Sequence, residues 1–198
     1  MSKPLEHSRM EFLSSLRRAI DACAKKNDNK AKEFIYKQYY GYLMAVILRY
    51  VKDYSDAEEL VNESFMRVFK GMESFKARED NIESLEKLFL GWMARISTNL
   101  SIDHLRAKKQ MVLIDDHSHF EPHINPASPS VSLEVADILK LLESLPEVQR
   151  LIFNLFEVDG YSHEEIALKL GIPESTSRTY LTRAKKKLRE LYTITNDN

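Results

Sequence analysis

Six lysines and arginines stand against two carboxylates between Glu174 and Tyr192, in a segment that opens on the hydroxyls Ser175, Thr176, Ser177 and Thr179. Small hydroxyls at the start of a helix can approach base edges closely. The arginines and lysines further along can neutralise phosphates, so the pattern suits a helix laid in a DNA groove. The residues just before supply the turn such a helix needs. Ser162 has Glu165 three positions later, a capping-box pattern, and Ile166, Ala167 and Leu170 give a short helix its buried face. Gly171 stands where a helix end needs a left-handed residue, Ile172 can pack under the turn, and Pro173 fits the start of the next helix. In that helix Leu181, Ala184, Leu188 and Leu191 share one stripe. Arg178, Thr182, Lys185, Lys186 and Arg189 fall toward solvent. A solvated basic face on an ordinary helical hairpin would explain the charge alone; the short helix, the glycine turn and the hydroxyl-rich start together favour DNA.

The chain as a whole carries a formal net charge of only -1. The reason is segmentation. From Asp53 to Glu86 there are ten acidic and four basic residues, whereas Phe89 to Lys109 has four basic and one acidic. An acidic helix face is usually no more than a solvated side. Two basic segments beside a distinct acidic one suggest a protein that meets DNA and another protein together.

Other chemistry is expected to be absent. His117, His119 and His123, with Asp115, Asp116 and Glu121 nearby, invite a metal reading, but a site needs ligands held in fixed geometry and nothing local supplies a scaffold. A polar tether that contains histidines is the simpler reading. There is no Gly-rich phosphate loop, no cysteine cluster and no nucleophile–base constellation, so neither an enzyme nor a cofactor is expected. His104 and His163 lie in helical segments as capped or surface residues, with His104 expected near DNA. The single cysteine, Cys23, sits among small helix formers as a packing residue and fits a reducing cytoplasm. The first residues lack the apolar core of a signal peptide, and no apolar run reaches membrane-spanning length, so a soluble cytoplasmic protein without membrane insertion is expected.

The elements that must position these residues are helices. With 5 Gly and 6 Pro in 198 residues, long stretches are free of helix breakers. Helical spacing predicts helices over 10–25 (Phe12, Leu13, Leu16, Ile20, Cys23) and 31–51, the latter rich in aromatic residues that read as core. Ser55 with Glu58 is the expected cap of the next helix, whose inward stripe is Leu60, Val61, Phe65, Val68 and Phe69. The stretch 71–84 reads as a loop. Spacing returns over 85–109 with Leu88, Trp92, Ile96, Leu100 and Leu105. Residues 110–132 hold three of the six prolines and no helical period, the signature of an exposed linker. Helical spacing resumes after it, punctuated at Pro146, Gly160 and Gly171. The expected fold is all-α: two helical domains joined by a flexible linker.

In order, four segments resemble those of a bacterial RNA polymerase sigma factor of the extracytoplasmic-function (ECF) group, within the sigma-70 family. "FIYKQYYGYL" is similar to the family's opening helix, and "DAEELVNESFMRVFKGMESF" to the segment that binds the clamp helices of the polymerase β′ subunit. "GWMARISTNLSIDHLRAKK" resembles the segment that engages the −10 promoter element. "SLPEVQRLIFNLFEVDGYSHEEIALKLGIPESTSRTYLTRAKKKLREL" resembles the domain that reads the −35 element and, in the family, meets the β flap. The resemblance implies region 2 over 30–109, the linker over 110–132 and region 4 over 133–192, with a helix-bearing extension over 1–29 and a tail over 193–198.

Carried over by position, the resemblance places Asp56, Glu59, Asn62, Glu63 and Arg67 against core polymerase, with Leu60 and Phe65 as an apolar anchor. It places Arg95, Asn99, Arg106, Lys108 and Lys109 at the −10 element, with Trp92, Ile96, Leu100 and Leu105 as core. Ser175, Thr176, Arg178, Thr179, Thr182, Arg183 and Lys186 fall at the −35 element. Phe75, Lys76 and Asn81 are candidates for capture of a flipped base, whose holding offsets the few kcal/mol of unpairing. Three positions depart from the family: Asn62 where Gln is usual, Ser177 where Val commonly faces the core, and Tyr180 where Arg or another polar residue is common. Promoter preference therefore cannot be copied from relatives. Core polymerase and promoter DNA are the implied partners, and an anti-sigma factor is the family's usual partner for clamping the two domains. A stand-alone helix-turn-helix regulator with an N-terminal effector or dimerisation module is the competing reading. It predicts tight duplex binding without polymerase. A pure protein-binding adaptor is the third, and predicts indifference to charge reversal at Arg178 and Arg183.

Overall fold

The computed structural model describes residues 3–75, 82–108, 142 and 144–196. Every regular element among them is helical, and the chain divides into two compact units, Met1–Lys108 and Lys109–Asn198. The proposed linker lies outside the described residues, as do Lys76, Asn81, Lys109 and the three histidines of residues 117–123.

The first unit is built from α1 (Lys3–Lys26), α2 (Asn29–Leu48), α3 (Tyr54–Gly71) and α4 (Ile82–Ala107). Helix α1 packs on α2 and α4 through Leu13, Leu16, Ile20 and Cys23, covering the apolar face of the bundle. Burial pushes the Cys23 thiol up from its ordinary value, as befits a packing residue. The break after α1 is local chemistry. Asn27 takes a left-handed φ of 51°, and the Asp28 carboxylate accepts the Ala31 N–H at 2.8 Å to start α2. Ile35, Tyr39, Leu43, Met44 and Ile47 then turn inward at three- and four-residue intervals.

The cap of α3 is Asp53, not Ser55. The Asp53 backbone is extended and its carboxylate accepts the Asp56 N–H at 2.9 Å, whereas Ser55 is already inside the helix and exposed. Tyr50 and Val51, both buried, anchor the chain just before Asp53, and this decides between two residues that are equally good caps by type. After Gly71 a 3-10 turn (Met72–Ser74) buries Met72 and delivers Phe75 to Phe89 and Trp92, with ring centroids 5.2 and 5.1 Å away.

In α4 the core positions are Leu85, Phe89, Met93, Leu100, Ile102 and Leu105, together with buried Ser97, Thr98 and Ser101. Ser97 and Ser101 donate to the carbonyls of Met93 and Ser97, so their burial leaves no hydroxyl stranded. Leu100 and Leu105 are core as expected. Trp92 and Ile96 are only half-buried, and Leu88 is 46% exposed. In the first half of α4 the inward face lies one position beyond the expected stripe, at Phe89, Met93 and Ser97 in place of Leu88, Trp92 and Ile96.

The second unit comprises α5 (Glu147–Phe153), which runs into a π turn (Asn154–Val158), then α6 (His163–Leu170) and α7 (Glu174–Asn196). Gly160 and Gly171 both have left-handed φ, 72° and 67°, which glycine adopts without steric cost. Leu151, Ile152, Leu155, Tyr161, Ile166, Leu170, Ile172, Leu181 and Ala184 form the core.

Candidate nucleic-acid and polymerase interfaces

The second unit carries the sequence-predicted motif in full. Ser162 accepts the Glu165 N–H at 3.1 Å while the Glu165 carboxylate accepts the Ser162 N–H at 2.8 Å, completing the capping box. Gly171 closes α6, Ile172 is buried beneath the turn, and the Pro173 carbonyl accepts the N–H groups of Thr176 and Ser177 to open α7. On α7, Ser177, Leu181 and Ala184 face inward, while Ser175, Arg178, Thr179, Thr182, Arg183 and Lys186 are exposed and Thr176 is half-exposed. Positions 175, 178, 179, 182 and 186 recur at helical spacing on one outward face.

That face is held in readiness by its own helix. The hydroxyls of Thr179 and Thr182 donate to the Ser175 and Arg178 carbonyls, which fixes their rotamers and leaves the oxygens able to accept. Arg178 is paired with Glu174, and the Arg183 guanidinium lies over the Tyr180 ring at 5.8 Å. Both pairings are exposed and therefore weak.

In the first unit the acidic helix presents Glu59, Asn62, Glu63, Met66 and Arg67 to solvent. Arg67 is bonded to Glu63 at 2.6 Å, and the Tyr36 hydroxyl donates to Asn62 Oδ1 at 3.0 Å. The shortened amide is therefore oriented by α2, with its NH2 left to donate. Leu60 and Phe65 are 5% and 2% exposed; Phe65 lies against Tyr36 and Phe69, inside the bundle. They support α3 from within, so they cannot form a surface anchor. The apolar side chain this face does offer is Met66, 72% exposed. Sequence spacing alone would have found it: Met66 lies one turn beyond Asn62 and Glu63, on the face opposite the apolar stripe.

Asp56 differs from its neighbours. Its carboxylate pairs with Lys108 and lies 3.4 Å from His104 Nε2, tying the start of α3 to the end of α4. Lys108 holds the Asp56 carboxyl below the usual carboxylate range, and Asp56 in turn raises the Lys108 ammonium. A proposed polymerase contact and a proposed DNA contact are thus joined to each other.

On α4, Leu88, Trp92, Arg95, Asn99 and Arg106 recur at three-, four- and seven-residue intervals and so share one face. Arg95 and Arg106 are exposed, and Asn99 is half-exposed. The side chains first read as core, Leu88 and Trp92, stand on the same face as the basic ones. The Trp92 indole is half-buried against the rings of Phe75 and Phe89. Among the described residues no cluster of three His, Cys, Asp or Glu side chains could hold a metal ion, and no helix is long and apolar enough to cross a membrane.

Comparison with known proteins adds the following. Residues 35–110 match the family described as Sigma-70 region 2, and residues 136–188 match Sigma-70, region 4. The chain is 28% identical over 174 residues to the ECF RNA polymerase sigma-E factor of Salmonella typhimurium, covering 82% of this chain and 86% of that one. It is 31% identical over 141 residues to the ECF RNA polymerase sigma factor SigE of Mycolicibacterium smegmatis, covering 68% of this chain and 51% of the other. Among solved structures, CnrH in complex with the cytosolic domain of CnrY aligns over 91% of this chain and 98% of its own, at 18% identity and a TM-score of 0.47. The sigma factor RpoE in complex with the anti-sigma factor NepR, from Bartonella quintana, aligns over 82% and 96%, at 24% identity and a TM-score of 0.47.

Proposed function

The chain belongs to the sigma-70 family as an ECF-type sigma factor, a promoter-recognising subunit of RNA polymerase, and from that premise we propose how its surfaces divide the work. Helix α3 docks on the β′ clamp helices through Glu59, Asn62, Glu63, Met66 and Arg67. Charge steers the encounter and Met66 supplies desolvated contact. The outward face of α4, with Trp92, Arg95, Asn99 and Arg106, takes the −10 element and stabilises its displaced strand. Phe75, packed on Trp92, adjoins this face, and Lys76 and Asn81, outside the described residues, are the further candidates for base capture. Helix α7 reads the −35 element. Ser175, Thr176, Thr179 and Thr182 reach base edges and sugars; Arg178, Arg183 and Lys186 fix the register on phosphates.

The polymerase performs the chemistry, and this chain contributes recognition and melting as a cytoplasmic, non-enzymatic factor. Core polymerase (through the clamp helices and β flap), promoter DNA and an anti-sigma factor are the partners this reading assigns. The observation that carries it is the segregation of one exposed acidic face and two exposed basic faces onto three separate helices. A stand-alone regulator gives no reason for the acidic face or for a region 2 match over 35–110.

The test is co-elution of the full chain with bacterial core polymerase, followed by promoter-directed transcription. Glu59→Lys/Glu63→Lys should weaken co-elution by at least about tenfold, from two reversed charges at an interface rim. Arg178→Glu/Arg183→Glu should leave co-elution intact and abolish transcription. If the wild type does not bind core polymerase, or if the arginine reversal leaves transcription unchanged, this division of labour is wrong.

A further inference from the structure

Ser177 occupies a position on the inner side of α7 that has no solvent exposure, and its hydroxyl is not stranded there: Ser177 Oγ lies 2.9 Å from His163 Nδ1. The imidazole in turn lies on Phe156, ring centroids 4.4 Å apart and planes inclined by 24°. Phe156 belongs to the π turn, His163 is the first residue of α6, and Ser177 is in the first turn of α7. One ring therefore touches the π turn and both helices of the helix-turn-helix. On the outer side of the same turn of α7 stand Thr176, Arg178 and Thr179.

We propose that His163 is a positioning residue for promoter recognition: in its neutral form it locks the first turns of α7 against α6 and the π turn, and so sets the angle at which Ser175, Thr176, Arg178 and Thr179 meet DNA. The proposal rests on the reading of α7 as the −35 helix. Its physical basis is that His163 Nδ1 and the Ser177 hydroxyl satisfy each other in either neutral tautomer. Removing one partner takes from the other its one side-chain hydrogen bond among the described residues, and in the case of Ser177 leaves a fully buried hydroxyl. Replacing both by apolar groups leaves nothing unsatisfied.

The charges around the ring make the lock sensitive to acid. Burial disfavours the imidazolium most, Arg178 and Lys185 on α7 repel it, and Glu174 on α7 favours it; together they hold His163 below the ordinary histidine value. Lys185 is itself paired with Glu157 of the π turn and lies near the Phe156 ring, which keeps its charge close by. On α6 the Glu165 carboxylate is committed to the Ser162 N–H and Glu164 is exposed. Because the folded value is lowered, the lock is at full strength above the unfolded-state pKa of about 6.5 and weakens as pH falls below it.

The experiment uses the full chain as wild type, His163→Leu, Ser177→Val and the double variant His163→Leu/Ser177→Val, at pH 7.5 and 5.5. Amide exchange protection over residues 174–179 is read first, without polymerase or DNA. Each single variant should lose about tenfold in protection at pH 7.5, the cost of one unsatisfied buried polar atom, and the double should recover it. Wild-type protection should fall on acidification, and that of the double should not. The second reading is affinity of the reconstituted holoenzyme for a duplex selected by the wild-type holoenzyme from a pool randomised over the upstream element. It should follow the same pattern. Single variants with wild-type protection, or a pH loss that persists in the double, overturn the lock. Protection that follows the pattern while DNA affinity does not overturns the positioning role. A wild-type holoenzyme that selects no upstream sequence defeats the −35 reading instead, with the lock already decided by the exchange data.

Discussion

Phe65 and Met66 are neighbours in sequence, yet one should matter to the fold and the other to the polymerase. Phe65 is 2% exposed and lies against Tyr36 and Phe69, so Phe65→Ala removes a full aromatic side chain from the core. The expected cost is about 3–5 kcal/mol, which lowers the melting temperature of the first unit by more than about 10 °C. Met66 is 72% exposed, so its truncation should leave folding stability unchanged within about 0.5 kcal/mol. Complete burial of a methionine side chain stabilises by about 1.5–3 kcal/mol. With 72% of the residue still open, docking on the clamp helices can recover about 1–2 kcal/mol of that. Met66→Ala should therefore weaken core polymerase binding by about 5–30-fold. Competition binding with labelled chain measures the affinity, and scanning calorimetry the stability. A Met66→Ala Kd within about twofold of wild type, in the face of a 1–2 kcal/mol expectation, refutes docking on this face. A Phe65→Ala variant that melts like the wild type refutes the core assignment.

Two further predictions concern elements around the sites. In the helix-turn-helix, Ser162→Ala removes the capping box and should cost about 1 kcal/mol; Gly171→Ala forces a methyl group into a left-handed residue and should cost about 1–2 kcal/mol. Thermal unfolding of the second unit checks both, and wild-type melting would show that the turn is not held as described. In the first unit, Asp56 should titrate below the ordinary carboxylate range, because Lys108 stabilises its charged form. The stability it contributes is present above the unfolded-state carboxylate pKa of about 3.9 and is lost as pH falls through the folded value. Asp56→Asn should reproduce the acid effect at neutral pH as faster amide exchange over 104–108. Carboxyl-carbon NMR that finds Asp56 titrating at or above the ordinary value would break the proposed tie between α3 and α4.

Local patterns in the chain were enough for the turn and capping chemistry of the second unit. Ser162, Glu165, Gly171, Ile172 and Leu181 do what their residue types and spacing require, because hydrogen bonds to the next turn and left-handed dihedrals are local demands. The outward stripe of α7 was legible for the same reason: helical periodicity alone separates 175, 178, 179, 182 and 186 from 177, 181 and 184.

Tertiary packing decided what local rules left degenerate. Asp53 and Ser55 are both good caps by type, and the burial of Tyr50 and Val51 selected Asp53. The apolar residues of α4 exceed what one face can bury; packing chose Phe89, Met93 and Ile102 and left Leu88 and Trp92 beside Arg95. Helical spacing already sets Phe65 and Met66 on different faces of α3, but only the placement of α2 beside α3 supplies the Tyr36 ring that Phe65 packs on. The contacts between Asp56 and Lys108, Tyr36 and Asn62, and His163 and Ser177 span 52, 26 and 14 positions along the chain. No periodicity reaches across such separations. A one-dimensional pattern reports the environment a helix needs, whereas the partner of a polar side chain depends on which helix folding brings beside it.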